Sequence, residues 1–208
     1  GGTIEGSCVE PFLEQGELRW RQATEKSHDP DVIRSSDNPF APEGGIRLLE
    51  GNLGRSLIKS SAVAPERQAV TAPAVVISHQ DELKMRFERG ELDRDCVIVA
   101  RFQGPSANGM PELHQLMPTL GVLQDRGYAV ALVTDGRLSG ASGKVPAAIH
   151  VTPEAASGGA IGRIQDGDII SLSVASGELA ARVDDATLMA RPRPETPKAA
   201  GTVGRGLF

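Results

Sequence analysis

Aromatic residues make up only 3% of the 208-residue chain, which leaves few ring faces for a base-stacking platform. Cysteine is scarcer still. Cys8 and Cys96 are far apart and neither sits in a C-x-x-C pair. That excludes a disulfide framework, and a metal or cluster site built from these cysteines alone. The expectation is two reduced cytosolic thiols. Positive charge is in the minority: 22 Lys and Arg stand against 27 Asp and Glu, a net charge of −5 with pI about 5.4. A polyphosphate backbone is repelled overall, so no nucleic-acid partner is expected. A small anion is not excluded, because local backbone N–H groups outweigh distant charge. No apolar run approaches the roughly 20 residues that span a bilayer, and no signal peptide is visible. A cytoplasmic protein without a membrane partner is therefore expected. The chain opens "GGTIEGS" without methionine, which reads as a piece of a longer protein.

What is present is an α/β pattern between two polar ends. Residues 1–45 carry little periodicity and read as a connecting arm; "SSDNPFAPEGG" within them is a loop. Residues 191–208, rich in proline and glycine, read as a flexible tail. Between them, 46–190 forms the folded domain. "IRLLEGNL", "SLIKSSAV" and "APAVVIS" read as strands. "HQDELKMRFERG" reads as a helix capped by Ser78, closed by Gly90, with Leu83 and Phe87 on one buried face. "DCVIVARF" is unbroken enough to be buried on both sides. "MPELHQLMPTLGVLQDRG" reads as a second helix with Pro111 in its first turn and Pro118 bending it. "YAVALVTD" is then a strand parallel to the one before. After "VPAAIHV" comes a short helical turn with Thr152 as cap and Pro153 first. The strands "AIGRI", "IISLSVA" and "LAARV" and a helix capped by Asp184 follow. Such a mixed parallel and antiparallel sheet with few helices curls into a barrel.

Two loops carry candidate chemistry. Gly136 to Lys144, "GRLSGASGK", follows a buried strand, where α/β folds collect ligands. It is not a phosphate-cradling G-x-x-x-x-G-K-[ST] loop: Leu138 stands at the first glycine position and Val145 follows the lysine. From composition alone, a ligand loop and an ordinary Gly/Ser connection stand level. The second loop, "GPSANGMPEL", also follows a parallel strand. Its Glu112 is explained by the dipole of a helical first turn, or serves as a hard oxygen ligand for a divalent cation. Asp135 caps a turn on this reading. The four histidines have no metal-ligand spacing.

"GGIRLLEGNLGRSLIKSSAV", "GPSANGMPEL" and "TDGRLSG" with "HVTPEAASGGAIGRIQDGDII" closely resemble, in order, the carboxy-terminal part of the dihydroxy-acid and sugar-acid dehydratases. The resemblance runs from about Arg34 to Arg191, and its wording is most similar to the branch acting on 6-phosphogluconate. It implies a swivelling β/β/α barrel-like domain. It implies a hydro-lyase converting 6-phospho-D-gluconate to 2-keto-3-deoxy-6-phosphogluconate, a step of the Entner–Doudoroff pathway. It implies Ser139 as the base in alkoxide form and Glu112 as a Mg²⁺ ligand. Gly140, Ser142, Gly143 and Lys144 are expected as substrate contacts, the last three for the phosphate because they are polar, flexible and close in sequence to Ser139. The family's iron–sulfur cluster is held by three cysteines of an amino-terminal domain, and neither Cys8 nor Cys96 falls in such a motif. The partners implied are therefore that domain of the same protein, a second copy in a homodimer, and a small phosphorylated sugar acid. Two other readings stand: a non-catalytic lid or dimerisation module, and a dehydratase for another sugar acid or dihydroxy acid.

Overall fold

The computed structural model describes residues 8–23, 27–139 and 143–197. The chain divides into two compact units, 1–43 and 44–208. In the first, β1 (Val9–Glu14) and β2 (Glu17–Gln22) form an antiparallel hairpin with Leu13 opposite Leu18. Gln15 and Gly16 turn it, both at positive φ. The sequence reading had an arm without strands here. The pairing rests on cross-strand ion pairs such as Arg21 with Glu10 (2.6 Å), while Leu13 and Trp20 stay exposed.

The second unit is a closed barrel of eight strands, ordered β10-β3-β4-β8-β7-β6-β5-β9. These are β3 (Ile46–Gly51), β4 (Gly54–Lys59), β5 (Ala69–Ile77), β6 (Cys96–Ala100), β7 (Val130–Thr134), β8 (Ala147–Thr152), β9 (Ile169–Ser173) and β10 (Glu178–Ala181). Strands β5, β6, β7 and β8 run parallel to their neighbours in that run. Antiparallel pairs of β5 with β9, β9 with β10, β3 with β4 and β4 with β8 carry the sheet around. The expected mixed barrel is thus the observed one.

The period-two alternation of β6 builds both cores at once. Val97 and Val99 join Ala131, Val133, Ala148 and Ile170 inside the barrel. Cys96, Ile98 and Ala100 face outward against Leu83, Leu120 and Leu123. Those leucines belong to two flanking helices, α1 (Gln80–Glu88) and α3 (Met117–Asp125). The α1 cap is His79, not Ser78. Its Nδ1 accepts the Asp81 N–H, and Glu82 Oε1 accepts the N–H groups of Ser78 and His79.

Three local expectations change. The second helix starts at Met117, so Pro118 lies at its first turn instead of bending its middle. Proline has no N–H to give to a helix interior, and the first turn asks for none. Upstream are a short α2 (Pro105–Asn108) and a 3-10 turn, His114–Leu116. The segment 153–158 is a turn, not a capped helical one, and Thr152 ends β8. "AIGRI" is a 3-10 turn, Ala160–Arg163, with Ile161 buried as a plug against the inner core, not a strand. The last helix, α4 (Asp185–Ala190), is capped as expected: Asp184 Oδ1 accepts the Thr187 N–H at 2.9 Å.

Candidate active site

Parallel strands β5, β6 and β7 deliver their carboxyl ends side by side, so the chain leaving each converges on one end of the barrel. Here Glu112 and Ser139, 27 residues apart in sequence, come together. Glu112 Oε1 accepts the backbone N–H of Ser139 at 2.9 Å. The two motifs also meet through backbone: Glu112 and Arg137 form an isolated parallel bridge. Glu112 is therefore not in a helical first turn, and the helix dipole does not account for it. Its second oxygen is 3.0 Å from Arg137 Nη1, and Arg137 Nε donates to the Met110 carbonyl at 2.9 Å. Ser139 itself is exposed.

Three buried groups hold this arrangement; the sequence reading took Asp135 for a turn cap and passed over Gln103 and Glu154. Asp135 directly follows β7 and is only 2% exposed. Its Oδ1 accepts the Gln103 N–H at 2.8 Å; its Oδ2 accepts those of Ala155 (2.9 Å) and Phe102 (3.2 Å). One carboxylate thus fastens the exits of β6 and β8 to the chain that leads from β7 to Ser139. Burial pushes its carboxyl above the ordinary value, against the pull of the three N–H donors. Phe102 has φ +61°, a left-handed conformation that a non-glycine residue adopts at a cost of about 1–3 kcal/mol, and Asp135 grips its N–H.

Gln103 is the second group. Its amide Nε2 donates to the carbonyls of Ser78 (2.7 Å) and Arg101 (3.1 Å), and its Oε1 accepts from Asn108 at 3.1 Å. Gly136 lies against it: a Cβ there would sit 2.6 Å from Gln103 Cβ. Glu154 is the third. Its carboxylate accepts the Ser106 N–H at 3.1 and 3.2 Å, and a Cβ at Gly104 would meet its Oε2 at 2.1 Å. The signal in the sequence was an acid directly after a buried strand, which is equally the signature of a turn cap.

Of the expected substrate contacts, Gly140 and Ser142 lie outside the described residues. Gly143 abuts the chain after β4, where its Cβ would be 2.4 Å from Ala62 Cβ. Lys144 pairs through Nζ with Asp125 at the end of α3, and its carbonyl accepts from Gln124 at 3.2 Å.

Neither group implied for the reaction is completed by these residues. Cys96 is buried, and burial pushes its thiol up to about 11, against the Arg94 charge and with that of Asp95. That is the opposite of what a thiolate ligand needs. Cys8 belongs to the other unit. An iron–sulfur cluster does not fit here. Among the described residues there is also no group of three or more His, Cys, Asp or Glu placed to hold a metal ion. Glu112 fits as a single oxygen donor to a hard cation. No helix among the described residues is long and apolar enough to cross a membrane.

Residues 31–207 match the family described as dihydroxy-acid/6-phosphogluconate dehydratase C-terminal. A phosphogluconate dehydratase of Pseudomonas aeruginosa is 58% identical over 200 residues, covering 96% of this chain and 33% of that protein. One of Escherichia coli K12 is 57% identical over 211 residues, with 100% and 35% covered. A dihydroxy-acid dehydratase of Acetivibrio thermocellus is 35% identical over 193 residues, with 91% and 33% covered. The chain spans about a third of the length of these relatives. With its motifs in order, its closed mixed barrel and a match over most of its length, the chain belongs to the dihydroxy-acid/6-phosphogluconate dehydratase family, in the carboxy-terminal part that the family's description names.

Proposed function

We propose that this chain is the carboxy-terminal domain of a hydro-lyase that converts 6-phospho-D-gluconate to 2-keto-3-deoxy-6-phosphogluconate, the Entner–Doudoroff step. The observation that carries the reading is the 2.9 Å contact between Glu112 and the Ser139 N–H, which joins two of the resembling motifs at one end of the barrel. The relatives named phosphogluconate dehydratase support the substrate.

The reaction removes the C2 proton and the C3 hydroxyl as water, leaving an enol that tautomerises to the 2-keto acid. Ser139 is the base at C2. A serine hydroxyl is weakly acidic, so the alkoxide needs positive potential around it. Arg137 supplies a guanidinium through its pairing with Glu112. Glu112 contributes one oxygen to a Mg²⁺ ion whose other ligands come from the amino-terminal domain. Such a cation, when bound, lowers the pKa of a nearby hydroxyl. The iron–sulfur cluster is likewise assigned to the amino-terminal domain, and no step is routed through it. Gly140, Ser142, Gly143 and Lys144, which follow the base in sequence, are the proposed substrate contacts. The cellular setting is cytoplasmic.

Ser139→Ala in the full-length protein should abolish turnover while 6-phosphogluconate still binds. Turnover near the parent level would overturn the role. Glu112→Gln should raise the Mg²⁺ concentration needed for half-maximal activity by about tenfold or more. An unchanged metal titration would remove Glu112 from the site.

A covering role accompanies the catalytic one. The outer face of β3 and β4 leaves Ile46, Leu48 and Leu57 exposed at 66%, 44% and 39%. That apolar face suits the amino-terminal domain or the second copy of a homodimer.

A further inference from the structure

A cleft of about 500 Å³ opens at the same end of the barrel, where β5 and β6 give out. Ser78 and Arg101 stand at those two exits. Arg86 of α1, Arg163 of the 3-10 turn and Arg193 of the following strap complete a cationic wall. Two acids also line it, Glu82 and Asp166, so four guanidiniums face two carboxylates. Asp166 pairs with Arg86 at 3.2 Å and accepts the Val76 N–H at 2.6 Å. Glu82 caps α1.

The other three guanidiniums donate to backbone carbonyls. Arg101 Nη1 bonds Gly162 (2.9 Å) and Ile164 (3.2 Å), Arg163 Nη1 bonds Met189 (2.8 Å) and Arg191, and Arg193 Nη2 bonds Ala156 (3.2 Å). A carbonyl satisfies a donor but leaves the charge. Among the described residues no ion pair engages Arg101, Arg163 or Arg193. The buried Nε atoms of Arg101 and Arg163 have no hydrogen-bond partner either. Burial also depresses the Arg101 guanidinium, outweighing the nearby charges of Asp166 and Glu82, so its charge is under-compensated. Guanidinium forks match the oxygens of a phosphate bidentately, as they do those of a carboxylate.

We propose that this cleft is a binding site for a phosphate monoester. Two sources share that chemistry: the phosphate group of the substrate in the proposed dehydration, or a free phosphate-bearing molecule acting from outside it. The first rests on the proposed function; the site itself does not. The cleft and the Ser139–Glu112 pair are linked by Gln103, which holds the Ser78 and Arg101 carbonyls with its side chain and Asp135 with its N–H. The loop ending in Lys144 is the competing place for the same phosphate.

Calorimetric titration of the 208-residue chain with inorganic phosphate, 6-phosphogluconate and gluconate tests the site. The first two should bind saturably, and gluconate about tenfold more weakly or not at all. Arg193→Gln on the exposed strap and Arg101→Gln at the strand exit should each weaken phosphate about tenfold or more; Lys144→Ala should not. Circular dichroism of each variant separates lost binding from lost fold, and Arg193→Gln is the variant least able to disturb the barrel. No saturable phosphate binding, or loss with Lys144→Ala and none with the arginine variants, overturns the proposal. In the full-length protein, a raised KM for 6-phosphogluconate with kcat kept in Arg193→Gln identifies the substrate as the source. An unchanged KM with lost phosphate binding identifies the free molecule. Absent turnover by the parent protein, with phosphate binding intact, counts against the dehydration and leaves the cleft standing.

Discussion

Asp135 shows how one residue can hold a site without touching a substrate. Its carboxylate accepts three buried N–H groups from two separate chain segments. Removing it in Asp135→Ala strands those donors, at about 1–3 kcal/mol each if they stay buried. The pH dependence has a definite sign. Burial, with the charge of Glu154 adding to it, lifts the carboxyl above 3.8 despite the three hydrogen bonds. Between 3.8 and that raised value the folded chain holds more proton at this group than the unfolded chain, so its contribution to stability falls as pH rises. Asp168 runs the other way. Burial raises it, but the hydrogen bond from Arg191, the Gln165 N–H and the Arg191 charge together outweigh burial. Its contribution is present above 3.8 and is lost as pH falls through the lowered value. Urea unfolding of the parent chain and Asp135→Asn, from about pH 4 to about pH 7, isolates the first effect. The parent-minus-variant difference should shrink as pH rises. A difference that does not change with pH would mean that Asp135 titrates as an ordinary carboxyl.

At the level of elements, α3 shows where packing decides and where local chemistry does. Leu116, Leu120 and Leu123 are each 1% exposed or less, pressed against the outward face of β6 and β7. Leu120→Ala should therefore cost about 2–5 kcal/mol, read as a lower denaturant midpoint with unchanged slope. A loss below about 1 kcal/mol would show that this face is not a packed layer. α3 lies within the helix read over "MPELHQLMPTLGVLQDRG", and the apolar runs "CVIVA" and "VALVT" made β6 and β7 visible. Its start was not visible. Pro111 and Pro118 both suit a first helical turn, and only the tertiary pairing of Glu112 with Arg137 chooses the second. The same limit hid the site's supports. Nothing local to Asp135 says that its partners lie at 102, 103 and 155, and nothing in "AIGRI" distinguishes a plug from a strand once Ile161 and Ile164 are both buried. The β1–β2 hairpin was missed because its strands bury so little that the alternation has no apolar side to show.

For the whole molecule, barrel closure is the condition on which the site depends, because β5, β6 and β7 hold their carboxyl ends together only while the ring is shut. The seams are unequal. The β5–β6 and β6–β7 ladders are four and five residues long, but β10 meets β3 at one paired position, Glu178 with Glu50. Asn52 makes up the difference: its Nδ2 donates to the carbonyls of Ala181 (2.9 Å) and Val183 (3.1 Å), and its Oδ1 accepts the Ala181 N–H at 2.8 Å. Gly51 beside it lets the strands approach, since a Cβ there would sit 2.1 Å from the Leu179 carbonyl oxygen. An amide side chain thus replaces missing ladder at the weakest seam. Asn52→Ala removes three hydrogen bonds, each contributing about 0.5–1.5 kcal/mol, and removes them where little else resists opening. The prediction is local before it is global. Amide hydrogen exchange in β9 and β10 should accelerate by more than the fall in overall stability explains, while β6 amides slow or quicken only with that overall stability. Equal acceleration in β6 and β10 would mean that the barrel opens as one unit, and that the β3–β10 seam is no weaker than the rest.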